Sequence, residues 1–290
     1  MCDEEWLNKI NDEFRRSNTP PGKRPFEAIS RLSQESGVSI SLSSPEARRI
    51  FDWFKNNSKP GAHAIGVLYE SCCFYDATFW KVVVPIGYGT FKLNALEALP
   101  EMPHSVKNAL MSDPPSRLNY MLFWADCVDF GYGCDDMIKL NREDKFGLEM
   151  LRASYEELQA AKSMLLEHRI NRRAMMASRM STEMILKSYI AMKVGLSDQE
   201  AMSLGHNLEK SFHRFIEAAG NITLKALEPL TAVFPEIHRR YEGQRHNPSD
   251  LWLAFGFAQT LAAYLTREFT DRDMQSQILS SNSAVAGNGS

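Results

Sequence analysis

Apolar positions from residue 148 onward recur at steps of three and four. Leu151, Tyr155, Leu158, Ala161 and Leu165 form one such stripe, which predicts a helix with a single buried face. After Ile170-Asn171 a second helix is expected, with Ala177, Met180, Met184, Ser188 and Ala191 on one face, Glu183 four residues before Lys187, and a stop at Gly195. Ser197 and Glu200 have the spacing of a capping box. A third helix over 207–219 ends at Gly220-Asn221, and 224–234 gives a shorter one that Pro229 must bend or break. The last helix has the clearest start. Asn247 is a good N-cap, Pro248 suits the first helical position, and Leu251, Phe255, Ala258, Ala262, Leu265 and Phe269 make an unbroken apolar stripe. The stretch 273–290 is mostly Ser, Asn, Gly, Gln and Ala without period, and is expected to be disordered.

The first half is mixed. Asp3 to Arg16 reads as a short helix, and the three prolines between Thr19 and Pro25 predict an extended connection. Ser44-Pro45 opens a helix carrying Ala47, Ile50, Phe51 and Phe54, which ends at Lys59-Pro60-Gly61. Residues 62–74 and 78–88 are rich in Val, Ile, Tyr, Phe and Trp around a short Tyr75-Asp76-Ala77 link, which predicts an antiparallel hairpin. Short helices are expected over 93–99 and 105–111, while 118–130 fits either strand or helix. The Gly-Tyr-Gly triplets at 87–89 and 131–133 read as turn punctuation. Asp126, Asp129, Asp135 and Asp136 are acidic enough to attract a divalent cation, but their spacing fits no calcium loop.

The pattern therefore predicts an α+β chain: a small mixed α/β domain with an antiparallel hairpin over 1–145, an up-down helical bundle over 146–272, and a tail. The 290 residues, 44% hydrophobic and 24% charged, are ample for such a division. No apolar run reaches the roughly 18 residues that span a bilayer, and acids occupy the N-terminus where a secretory signal carries bases, so a cytoplasmic location away from membranes is expected. Five irregularly placed cysteines suggest neither a disulfide framework nor a zinc site and are expected to be reduced. The net charge of −3 is uneven: between Leu151 and His246 there are 14 Lys and Arg against 11 Asp and Glu. That excess is too thin to define a nucleic-acid binder.

Three segments of the helical half carry a family resemblance. Residues 174–189 place small residues ahead of Glu183 and the Leu186-Lys187 pair. Gly205-His206-Asn207-Leu208 opens the third helix. Arg240-Tyr241 precedes His246 by an R-x(4-6)-H spacing. In this order they resemble the HEPN (higher eukaryotes and prokaryotes nucleotide-binding) family over roughly 148–270. The family's catalytic members usually follow the arginine with a polar residue inside a helix. Here Tyr241 follows, and Gly243 and Pro248 suggest a loop.

The resemblance implies a metal-independent endoribonuclease or RNA-targeting effector of a prokaryotic defence or toxin system. It would act without cofactor, as a homodimer through the helical domain, on RNA or a nucleotide, with an antitoxin or regulatory protein as a further partner. Arg240 and His246 would be catalytic: the imidazole for proton transfer at the 2′-hydroxyl, the guanidinium for charge on the phosphorane-like transition state. Arg239, Tyr241, Glu242 and Arg245 would bind substrate. The alternative is a non-catalytic nucleotide- or protein-binding module serving as a dimerisation scaffold. Among the other candidates, His206 reads as a hydrogen-bonded structural residue, His168, His213 and His238 as surface histidines, and Arg169, Arg172, Arg173 and Arg179 as a solvated helix face.

Overall fold

The computed structural model describes residues 3–42, 44–58, 67–86, 93–139, 145–241 and 245–287, and side chains in these segments except those of 198, 240, 241 and 281–287. The chain forms two compact units that meet in sequence at Val67 and Leu68.

Among its described residues the first unit holds three α-helices, α1 (Glu4–Arg16), α2 (Arg24–Ser36) and α3 (Pro45–Asn56). Asp3 caps α1 by accepting the Trp6 N–H, and Ser44 caps α3 by accepting the Ala47 N–H. Leu7, Ile10 and Phe14 of α1, Ala28, Ile29 and Leu32 of α2, and Ala47, Ile50 and Phe54 of α3 close a core of their own. Helix α2 goes beyond the predicted elements. The proline-rich segment is shorter than expected: Pro21–Lys23 turn as a 3₁₀ helix, and Pro25 already lies in the first turn of α2, where its missing N–H costs nothing.

The second unit opens with β1 (Val67–Tyr75) and β2 (Thr78–Pro85), which pair as a two-stranded hairpin. Asp76 and Ala77 both have positive φ, 51° and 56°, the twist a two-residue hairpin turn demands. Helices follow: α4 (His104–Ser112), α5 (Pro114–Lys139), α6 (Lys145–Leu165), α7 (Ala174–Val194), α8 (Asp198–Leu204), α9 (Leu208–Ala219), α10 (Pro248–Phe269) and α11 (Met274–Gly287), with 3₁₀ segments over Ile222–Val233 and Ile237–Tyr241. Helix α7 packs on α6, α9 and α10, and α10 packs also on α5. Among the described residues the chain is thus mostly helical with one small antiparallel hairpin, an α+β architecture.

The expected boundary at residue 145 lies inside this second unit, because α5 packs against α10 and shares one apolar core with the later helices. Glycine is the reason. Residues 131–133 do not turn the chain but sit within α5, where a Cβ on Gly131 would lie 2.8 Å from Cβ of Tyr69 and one on Gly133 would lie 2.6 Å from Cβ of Thr266. The two glycines let α5 approach β1 on one side and α10 on the other. Strand β1 is further stapled to α10, since Tyr69 Oη donates to Gln259 Oε1 at 2.7 Å. The other triplet, 87–89, falls outside the described residues.

Two further expectations are corrected. Helix α7 is buried on more than the expected face: Ala177, Ser188 and Ala191 of that face are buried and Met180 and Met184 partly exposed, while Arg179, Glu183, Ile185 and Tyr189 are buried as well. The segment 274–280 is not structureless but forms the start of α11, with Met274 and Ile278 against the core. Its first N–H groups are taken by a buried carboxylate, Met274 N–H to Asp129 Oδ1 at 2.7 Å.

Candidate functional site

Three of the helical elements are brought together by one ionic cluster. Arg179, Glu183 and Lys187 occupy successive turns of α7, so i,i+4 spacing alone aligns them on one face. Glu183 is buried and receives Lys187 Nζ at 2.8 Å and Arg179 Nη1 at 3.4 Å. Its oxygens also lie 3.0 and 3.1 Å from Nδ1 of His206. A carboxylate accepts, so Nδ1 of the ring donates to Glu183.

Backbone carbonyls complete the cluster. Lys187 Nζ donates to Gly205 O at 2.7 Å, and Arg179 donates to His206 O at 2.6 Å and to Pro235 O at 2.9 Å. Positive φ at Gly205, 52°, turns the chain so that its carbonyl and the next face α7. Asn207 then caps α9 by accepting the Lys210 N–H. Burial lowers the pKa of Arg179, and the adjacent Glu183 carboxylate opposes that by favouring the charged form.

Arg179 is thereby a correction: its guanidinium is spent on holding α7, the 205–207 turn and the segment ending at Pro235, not on a solvated face. Arg169, Arg172 and Arg173 are exposed as expected. His206 is hydrogen-bonded, as its position at a helix start predicts, and the Glu183–Lys187 pair and the Ser197–Glu200 capping box also form.

Beside this cluster opens a cleft of about 830 Å³ between the start of α9 and the two 3₁₀ segments. Its charged lining comprises Arg179, His206, Glu209, Lys225, Glu228 and Glu236. Pro229 lies inside the 3₁₀ segment Ile222–Val233 and interrupts its hydrogen-bond ladder, since it has no N–H to donate.

The predicted catalytic loop lies just beyond. Arg239 is exposed on the 3₁₀ segment Ile237–Tyr241, and its backbone N–H bonds Glu236 O at 3.0 Å. Arg245 is exposed, and His246 is half-buried directly ahead of the α10 N-cap. Asn247 and Asp250 cap one another reciprocally, as the sequence predicts. The side chains of Arg240 and Tyr241, and Glu242 altogether, fall outside the described residues.

The four acidic residues each pair with a basic side chain. Asp126 and Asp129 are buried on α5 and share Arg267 of α10, at 2.5 and 2.7 Å, while Asp135 pairs with Lys139 and Asp136 with Arg272. The sequence marks Asp126 and Asp129 as acidic but not their shared partner Arg267; the signal was two acids one turn apart in an apolar stretch of α5. One guanidinium cannot neutralise two buried carboxylates, so burial pushes Asp126 up to about 6 against the pull of Arg267. Cys72, Cys73, Cys127 and Cys134 are free and buried, and burial raises the pKa of each thiol. No described helix is long and apolar enough to cross a membrane. Compared with protein-family models, curated proteins and solved structures, the chain finds no match in any of the three.

Proposed function

We propose that the helical unit is a HEPN-like module that binds RNA or a nucleotide in the cleft beside Arg179 and His206. One observation carries this reading. Two of the segments on which the resemblance rests, α7 and the Gly205-His206-Asn207 turn, are tied together by Arg179 and Glu183 at the edge of that cleft, and Arg179 also holds Pro235, five residues before Arg240. A buried ion cluster of this kind fixes the shape of a binding surface more than it supplies binding energy. Phosphate would then be met by Lys225, by His206 and by the arginines 239, 240 and 245 that follow the cleft wall in sequence. Association as a homodimer and control by a regulatory protein belong to the same proposal.

A second reading is favoured by the position of His246, half-buried in front of α10 and a few residues after an arginine pair. In that reading the module cleaves RNA without metal. His246 moves the proton of the 2′-hydroxyl and Arg240 stabilises the charge that develops on phosphorus.

Both are tested with the full chain, a fluorescein-labelled single-stranded RNA and excess EDTA. Binding is read by anisotropy and cleavage by gel. For the binding module, wild type retards the RNA without cutting it, and Arg240→Ala weakens binding at least tenfold. Cutting that persists in EDTA and is lost in His246→Ala replaces it with the nuclease reading. Absence of binding to both RNA and ATP sinks the proposal.

A further inference from the structure

Outside the Arg179–Glu183 cluster, on the far wall of the cleft, three side chains of metal-ligand type converge. Glu209 and His213 stand one turn apart on α9, and Glu228 reaches them from the 3₁₀ segment Ile222–Val233. One ligand atom from each lies within 4.8 Å of the other two, and His213 Nε2 is 2.6 Å from Glu228 Oε1. From this geometry we infer that Glu209, His213 and Glu228 form a binding site for one divalent transition-metal ion of the zinc type.

The chemistry of the donor set supports zinc over the alkaline-earth ions. One imidazole nitrogen with two carboxylate oxygens suits a borderline ion with Zn–N and Zn–O distances near 2.0–2.2 Å, whereas calcium and magnesium take oxygen ligands. Donors at such bond lengths stand about 3.5 Å from one another in a tetrahedron. The ligand atoms here lie within 4.8 Å of one another, so side-chain rotation must bring them to that spacing, and the His213–Glu228 contact must open as the ion enters. A glutamate and a histidine at i,i+4 on a helix form a chelate whose backbone is already rigid, and the third ligand comes from a different element, so the site is set by tertiary structure.

Electrostatics point the same way. Glu209 makes no ion pair among the described residues, and the only cationic partner of Glu228 among them is the imidazole itself. Two carboxylates facing one imidazole leave excess negative charge that a divalent ion would neutralise. Three protein ligands leave a fourth position open, as in catalytic rather than structural zinc sites. The site stands whether or not the cleft binds nucleic acid.

The test uses the tag-free, chelator-stripped full chain, titrated with zinc chloride by calorimetry and with cobalt chloride by visible absorption. The expected result is one zinc per chain, visible cobalt bands, and at least a tenfold loss of zinc affinity in each of His213→Ala and Glu228→Gln. Circular dichroism should be unchanged, since all three side chains lie at the surface. Zinc affinity equal to wild type in the triple variant Glu209→Gln, His213→Ala, Glu228→Gln would overturn the assignment by placing the ion elsewhere, as would failure of wild type to bind zinc or cobalt. Binding of magnesium as tightly as zinc, unaffected by His213→Ala, would also overturn it.

Discussion

Glu183 is a buried carboxylate with three cationic or protonatable neighbours, and its surroundings make it a keystone of the helical unit. Exposed pairs of this kind contribute little, but removing one partner of a buried pair leaves the other charge desolvated, at a cost of about 3–5 kcal/mol. Arg179 keeps two carbonyl acceptors when Glu183 is lost, so the expected cost of Glu183→Gln is near the lower figure, about 3 kcal/mol in urea unfolding. Glu209→Gln on the exposed rim should change stability by less than about 0.5 kcal/mol under the same conditions. Equal effects would show that the cluster is not a buried one.

Asp126 gives the residue scale a pH dependence. Its carboxyl is raised from 3.8 to about 6 on folding, so the folded state binds the proton more tightly than the unfolded chain. Stability from this group is therefore present below about pH 4 and lost as pH rises through 6, amounting to about 1 kcal/mol between pH 5 and 7. Asp126→Asn should flatten that part of the stability-versus-pH curve relative to wild type. An unchanged slope would place the charge balance of the Arg267 centre elsewhere.

Among elements, α5 and α10 show how a glycine sets a packing distance. A Cβ on Gly133 would lie 2.6 Å from Thr266 Cβ, a distance that real side chains do not adopt, and neither helix backbone can give way cheaply. Alanine gains up to about 1 kcal/mol in helix propensity, but overpacking costs about 1–3 kcal/mol or more, so Gly133→Ala should be net destabilising by about 2 kcal/mol. Gly256 in α10 is the control. A Cβ there meets only the Trp252 ring at 4.0 Å, so Gly256→Ala should stabilise by a few tenths to about 1 kcal/mol. Both are read from thermal or urea midpoints. The same pattern explains why the Gly-Tyr-Gly triplet misleads as a sequence signal. Glycine marks either a turn or a close approach, and only the neighbour's position tells which.

At the scale of the whole molecule, the division into units follows from which apolar stripes find partners. The first three helices satisfy one another within 67 residues. The hairpin and α5 cannot do so alone, and are completed by α6, α7 and α10 of the later sequence. The predicted boundary near 145 followed a change in periodicity, from mixed to regular helical. Periodicity reports how a segment folds locally, while a domain boundary depends on what that segment is packed against.

Local chemistry alone determined much of this protein. The Asn247–Pro248 and Ser44–Pro45 helix starts, the Ser197–Glu200 capping box, the stop at Gly220 and the apolar stripes of α6 and α10 all form where sequence places them, because each rests on groups within one or two turns. The Glu183–Lys187 pair was legible for the same reason, being one turn apart on a helix. What sequence left open depends on residues dozens of positions apart. The burial of Arg179 against His206 and Pro235, the sharing of Arg267 by two aspartates more than a hundred residues earlier, and the meeting of Glu228 with Glu209 and His213 are decided only when helices pack. Burial turns an ordinary surface charge into one that must be paired, and it is the tertiary structure that does the burying.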